Sequence, residues 1–292
     1  MEIPSRGYPN SDLLWSPEFL AERLNKSRIA IVDTRPAELY ANGHLPGAKH
    51  FDPYFVNTDD TDDAPLKAFT RMWAEMLGWR GVGNSDTIVF YGEFTDMCAA
   101  RGFWFAEFLG HSDVHVLDGG FRCWIEGGFP TATRCKVPKP SKFRFTAVKE
   151  KVATYTDVLE AIECPNSVII DTRSQQEFLG YDRRASRGGA IPTAKHRDWE
   201  DLFNHSTGCM KSADELRRLF EILDAGLEKE VIVYCNTGYR SAHAYLALRL
   251  LNYPRVRNYV GSWQEWGNRQ ILPVETRKDL KSRGKPTRKK PE

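Results

Sequence analysis

Short runs of consecutive apolar, largely β-branched residues recur along the chain: IAIV from Ile29, TIVFY over Thr87–Tyr91, VII from Val168 and VIVY over Val231–Tyr234. Each is too short for a helix and lacks polar alternation, which predicts strands buried on both faces. Between and after them lie longer apolar stretches, AARGFWFAEFLGH from Ala99 and SAHAYLALRLLNY from Ser241, that read as helices. Strands alternating with helices predict parallel sheets joined by right-handed crossovers, with helices on both faces.

The pattern occurs twice. IAIVDTRPAELYANGHLPGAKH (Ile29–His50) is matched by VIIDTRSQQEFLGYDRRASRGGAIPTAKH (Val168–His196), the second copy carrying an insert around Tyr181–Arg187. Each has a strand-like run, Asp-Thr-Arg, a Glu on a short helix, and a Pro-containing turn ending in Ala-Lys-His. TIVFY, its helix and VHVLDGGFRCW are matched, in the same order, by VIVY, its helix and VRNYVGSWQEW. Self-similarity of this length implies a duplicated unit. The expected fold is α/β, with two similar domains, each a mainly parallel sheet flanked by helices. The expected boundaries are 1–130 for the first domain, 131–150 for a linker and 151–276 for the second. Residues 277–292 read as a basic, disordered tail.

Composition fits a globular protein of two ordinary domains: 292 residues, 41% hydrophobic and 27% charged, with a net charge of +2. That balance carries no nucleic-acid signature. No apolar run approaches the ~20 residues that span a bilayer, and MEIPSRGYPN lacks a signal-peptide core, so the expected compartment is the cytoplasm. The six cysteines (Cys98, Cys123, Cys135, Cys164, Cys209 and Cys235) include no C-x-x-C pair, so zinc ligation and a thioredoxin-type dithiol are not expected. DDTDD (Asp59–Asp63) lacks the Gly and Glu of a calcium loop and reads as a solvated acidic loop.

One cysteine stands in a distinctive place. Cys235 follows a buried strand at once, and an apolar helix is expected to begin near Ser241, with Asn236, Thr237, Gly238, Tyr239 and Arg240 between. So short a connection must curl, turning backbone N–H groups toward the sulfur like an anion-binding nest. Gly238 permits positive φ within the curl. The helix N-terminus adds partial positive charge and Arg240 a full one. Together these favour thiolate over thiol, and a persulfide anion for the same reason. Phosphatases with a C-x5-R loop wrap a phosphate. The C-x4-R spacing here makes a smaller ring, better suited to one sulfur atom. A phosphatase of related fold and a non-catalytic persulfide carrier remain as alternatives.

VDTR with GHLPGA and LDGGF in the first half, IIDTR with RGGAIP in the second, and the CNTGYRS loop together resemble the tandem-domain rhodanese family, the thiosulfate and 3-mercaptopyruvate sulfurtransferases, over about residues 12–274. The resemblance implies a ping-pong reaction with no cofactor. The Cys235 thiolate takes the outer sulfur of a small-molecule donor and passes it to cyanide, a thiol or an acceptor protein. It also implies that the first half is silent, since Gly92 stands where Cys235 would and Glu93 and Asp96 flank it. Asn236, Thr237, Gly238, Tyr239, Arg240 and Ser241 are expected to form the substrate loop, with Arg240 binding an anionic donor, thiosulfate by preference over 3-mercaptopyruvate. Arg187, ahead of Gly188 and Gly189, is placed at the mouth, with Arg183 and Arg184 as rivals. Glu177 stands where some members carry a donor-binding arginine. Asp171 and Arg173 are expected to brace the loop, as Asp33 and Arg35 repeat the pair in the silent half. Trp199 and Trp263 are candidates for pocket walls or core, His243 reads as a partly buried helix residue, and Cys98 as structural.

Overall fold

The computed structural model describes residues 3–24, 28–135 and 137–276; the basic tail expected at 277–292 lies outside them. The first half contains β1 (Leu14–Trp15), β2 (Ile29–Asp33), β3 (Lys49–His50), β4 (Thr87–Tyr91) and β5 (Val114–Leu117). The second contains β6 (Val152–Ala153), β7 (Ser167–Asp171), β8 (Lys195–His196), β9 (Glu230–Tyr234) and β10 (Val256–Tyr259). All neighbours pair in parallel, in the orders β1-β5-β4-β2-β3 and β6-β10-β9-β7-β8. The two sheets therefore have the same topology. The inner strands β2, β4, β7 and β9 are buried beyond their first residue, as uninterrupted apolar runs require when both faces are covered.

The duplicated Asp-Thr-Arg…Ala-Lys-His pattern has one structural cause. In the second half Arg173 pairs with Asp171 (2.6 Å) and donates to the Gly189 carbonyl (2.7 Å), while Nε2 of His196 lies 2.7 Å from the Arg173 carbonyl. Thr172 donates its amide and hydroxyl to the Tyr234 carbonyl, both at 2.9 Å. In the first half Arg35 joins Asp33 (2.8 Å) to the Gly43 carbonyl, His50 approaches the Arg35 carbonyl, and Thr34 holds the Tyr91 carbonyl. Each motif fixes the C-terminal end of its central strand, where the loop to the next helix begins.

Helices Met97–Phe108 and Tyr239–Leu250 follow the two central strands and pack against each other across the halves. Nearly every side chain on both is buried, so each is apolar on all sides, covering its own sheet with one face and the other helix with the opposite one. The hydrophobic core is continuous across this boundary, running from Val32 and Phe90 through Phe103 and Trp104 to Tyr245, Leu248 and Val233. Polar ties cross it as well: Arg249 and Tyr245 reach Glu107, and the segment before β1 straps Arg6 onto Asp118 and the Met210 carbonyl. The acidic loop expected to be free in solvent is instead pinned, because Arg269 pairs with Asp60 (2.7 Å) and Asp62 (3.0 Å). Among the described residues no helix is long and apolar enough to cross a membrane.

Candidate active site

β9 ends at Tyr234, whose hydroxyl donates to Asp171 (2.5 Å) and accepts from the Ile191 amide (3.2 Å). Asp171 and Arg173, fully buried, thus lock the strand end behind the loop and do not face its opening. Cys235 comes next, 1% exposed. Its amide donates to Ser262 Oγ (3.1 Å), which donates to the Tyr259 carbonyl (2.7 Å); its carbonyl accepts from Trp263 N (3.0 Å). The Asn236 carbonyl accepts from Gln264 N (2.9 Å). The outer turn of the loop is thereby tied to the start of helix Ser262–Trp266.

The inner turn faces the sulfur. Gly238 has φ 84°, and its amide donates to Cys235 Sγ at 3.1 Å. The Ser241 hydroxyl lies 3.6 Å from Sγ and donates to Asn258 Oδ1 (2.7 Å), while Asn258 Nδ2 holds the Gly238 carbonyl (3.2 Å). The helix begins at Tyr239, two residues before the expected start, so Arg240 and Ser241 lie in its first turn and their backbone is helical. Burial alone would push the Cys235 thiol up. The Arg240 charge and hydrogen bonds from Ser241 and the Thr237 amide outweigh it and hold the thiol below its ordinary value. The arrangement can keep one buried sulfur negatively charged.

Several residues singled out from sequence lie elsewhere than expected. Arg187 is not at the mouth: its guanidinium donates to the carbonyls of Gly267 (3.1 Å), Leu272 (2.7 Å), Trp266 (2.7 Å) and Arg269 (2.5 Å), clamping the chain after the last helix. Arg183 and Arg184 show no contact with the cysteine loop, and Arg184 pairs with Asp182. Arg240 is not a free cation. Glu177 holds it bidentately at 2.5 and 2.8 Å, and that pairing keeps the buried Glu177 carboxyl down at about 2. Tyr239 is turned into the first half, its hydroxyl donating to the Pro53 and Val56 carbonyls. Trp263 is buried core, stacked under Arg173, and the partly buried Trp199 packs on Phe203 and His243. His243 is fully buried, with Nε2 2.9 Å from the Thr95 carbonyl.

The first-half loop has the same form and a different filling. Gly92 follows β4 as Cys235 follows β9. The Asp96 carboxylate folds back into its own loop and accepts from the amides of Glu93, Cys98 and Ala99 at 2.9–3.0 Å. A Cβ at position 92 would sit 1.7 Å from that carboxylate. Asp96, expected only to flank this position, occupies the place a cysteine side chain would need. Burial, and that carboxylate after it, push the Cys98 thiol well up, which disfavours its thiolate.

Sequence reasoning missed Arg101, Asn258 and Ser262, whose roles come from contacts across elements. Only Arg101 left a signal, a lone cation inside the apolar run AARGFWFAEF. The Cys123 and Cys209 sulfurs, brought to 3.9 Å from opposite halves, left none.

A duplicated parallel sheet with a cradled cysteine after a central strand defines a class of sulfurtransferases. The chain belongs to the rhodanese family: the family model of the rhodanese-like domain matches residues 16–126 and 154–269. Over 284 residues it is 34% identical to the sulfur carrier protein TtuD of Thermus thermophilus, covering 92% of this chain and 98% of the relative. It is 30% identical to the thiosulfate sulfurtransferase of Azotobacter vinelandii, covering 90% and 97%. Among solved structures, SseA of Escherichia coli, described with the 3-mercaptopyruvate sulfotransferases, superposes with a TM-score of 0.73 at 27% identity, covering 86% and 98%. The anaerobic ergothioneine biosynthesis enzyme of Chlorobium limicola shares the fold with a TM-score of 0.82 at 23% identity, covering 92% and 71%.

Proposed function

We propose that this rhodanese-family sulfurtransferase moves sulfane sulfur from thiosulfate to a thiophilic acceptor, such as cyanide or a thiol, through a persulfide on Cys235. The observation that carries the reading is the ring of donors around one buried sulfur, with the Arg240 charge beside it. The thiolate attacks the outer sulfur of thiosulfate; the donor S–S bond breaks and sulfite leaves with the electron pair. The terminal sulfur of the new persulfide is again an anion suited to the same amides. The acceptor attacks that sulfur, the Cys235 S–S bond breaks, and the thiolate returns. Several curated relatives of similar coverage are named thiosulfate sulfurtransferases, which supports the donor. Arg240 would draw an anionic donor only so far as Glu177 leaves its charge uncompensated.

A second reading, a carrier that loads sulfur for a partner protein, is favoured by the likeness to TtuD. Thiosulfate and 3-mercaptopyruvate, assayed side by side with the wild type and Cys235→Ser, test both. Thiosulfate is expected to be the better donor, with no turnover by Cys235→Ser. A preference for 3-mercaptopyruvate overturns the donor assignment. A persulfide that cyanide and small thiols cannot discharge, but a protein acceptor can, favours the carrier. Glu177→Gln is expected to lower the KM for thiosulfate by freeing Arg240.

A further inference from the structure

Arg101 projects from helix Met97–Phe108 of the half that lacks the cysteine and is 0% exposed. Its guanidinium donates to the Thr237 carbonyl in the cysteine loop (3.1 Å) and to the Val56 carbonyl (3.2 Å), and lies 4.1 Å over the Tyr239 ring. A Cβ on Gly238, the residue whose amide reaches Sγ, would meet Arg101 Nη1 at 2.5 Å. The guanidinium therefore stands directly behind the turn that holds the sulfur.

Among the described residues no carboxylate lies within ion-pairing distance of Arg101, and its Nε has no hydrogen-bond partner. The other buried arginines among the described residues each have one, Arg6 with Asp118, Arg35 with Asp33 and Arg173 with Asp171, and so does the half-buried Arg249 with Glu107. A buried cation without a counter-ion is strongly unfavourable. The ionisable groups that couple to Arg101 are Tyr239, Cys235 and Cys98. The phenol and the Cys98 thiol are both pushed up and stay neutral near neutral pH. Cys235 is the anion that remains. The charge that acts on Cys235 from its own half is Arg240, itself paired with Glu177.

We propose that Arg101, a positioning residue supplied by the half without the cysteine, is the buried counter-charge that keeps sulfur on Cys235 anionic, as thiolate and as persulfide. The proposal rests on Cys235 being the sulfur-carrying residue and gives the silent half a part in its chemistry. Arg240 and Arg101 would share the task from opposite sides. The first is balanced by a carboxylate, whereas the second is balanced by sulfur alone.

The test is a pH titration of the thiolate ultraviolet absorbance in the full-length chain. Each protein is read as the difference from its own Cys235→Ser counterpart. Arg101→Gln is expected to move the Cys235 midpoint upward by about one pH unit and to slow sulfur uptake from thiosulfate about tenfold near neutral pH. Arg101→Lys should stay near the wild type. A folded Arg101→Gln chain with an unmoved midpoint, or equal midpoints for the Lys and Gln variants, overturns the proposal. Should Arg101→Gln fail to fold, thermal unfolding of the wild type and Cys235→Ser decides. Loss of the counter-ion is expected to lower the Tm of Cys235→Ser at neutral pH, and an unchanged Tm overturns the proposal. If the midpoint depends on Arg101 but no persulfide forms, the sulfur-transfer reading fails instead.

Discussion

At the scale of single residues, local chemistry was legible and distant chemistry was not. Cys235, Gly238 and the Asp171–Arg173 pair could be placed from sequence because their partners lie within a few positions, or repeat in the other half. The sequence could not place Arg187, since its four carbonyl partners lie 79 to 85 residues away. Nor could it show that Glu177 turns to hold Arg240. The position of Arg187 has a measurable consequence. A guanidinium bonded to four carbonyls contributes to stability, not to donor capture, and each bond made by a charged group is worth about 1.5–3 kcal/mol before compensation. Arg187→Ala is expected to lose about 2–4 kcal/mol of unfolding free energy. Its KM for the donor should stay unchanged when measured well below the new Tm. A raised KM with unaltered denaturant stability would return Arg187 to the mouth of the site.

The inner strands β2, β4, β7 and β9 were predicted by uninterrupted apolar runs and match them to within a residue, whereas the short outer strands have no such run. What the runs could not show is that the two apolar helices cover each other, because a helix buried on all sides has no polar face to point the way. His243 sits at that junction. Its Nε2 meets the Thr95 carbonyl, and Nδ1 is buried without a partner, so a second proton there would find no acceptor. Burial holds the imidazole down at about 4, against an unperturbed 6.5. The unfolded chain therefore takes up this proton first as pH falls. Stability is unaffected by His243 above about pH 6.5 and is lost progressively toward pH 4, by about 1.4 kcal/mol per pH unit at most. Glu177, held down at about 2, adds a loss of the same sign that sets in below about pH 4.5. A His243→Gln chain should show a flatter fall of Tm between pH 6.5 and 4 than the wild type; parallel curves would contradict the assignment.

At the scale of the whole molecule, duplication explains why one half could change. Both loops present inward-facing amides at the end of a central strand. In the second half they face a cysteine sulfur, and in the first the Asp96 carboxylate. The half without the cysteine at this position keeps its anion-holding shape while supplying Arg101, Thr95 and Glu107 to the other. The halves also bring Cys123 and Cys209 together, and the hydrogen bond from Cys209 holds the Cys123 thiol below its ordinary value. A Cys123 thiolate can attack a low-molecular-weight disulfide, releasing one thiol. Cys209 can then displace the second, closing a bond between the halves. Treating Cys235→Ser protein with oxidised glutathione should join the two cysteine-containing peptides, with loss of two hydrogens. A lasting glutathione adduct on Cys123 would show that the sulfurs cannot meet.

Sulfur transfer by this chain requires Cys235 to hold a single anionic sulfur within its ring of amides, and intact-mass measurement of the purified chain after thiosulfate treatment reads this directly. The wild type should gain one sulfur atom, located on the peptide containing Cys235 and removed by cyanide, while Cys235→Ser gains none. Sulfur found on another cysteine, or taken up equally by Cys235→Ser, would contradict it.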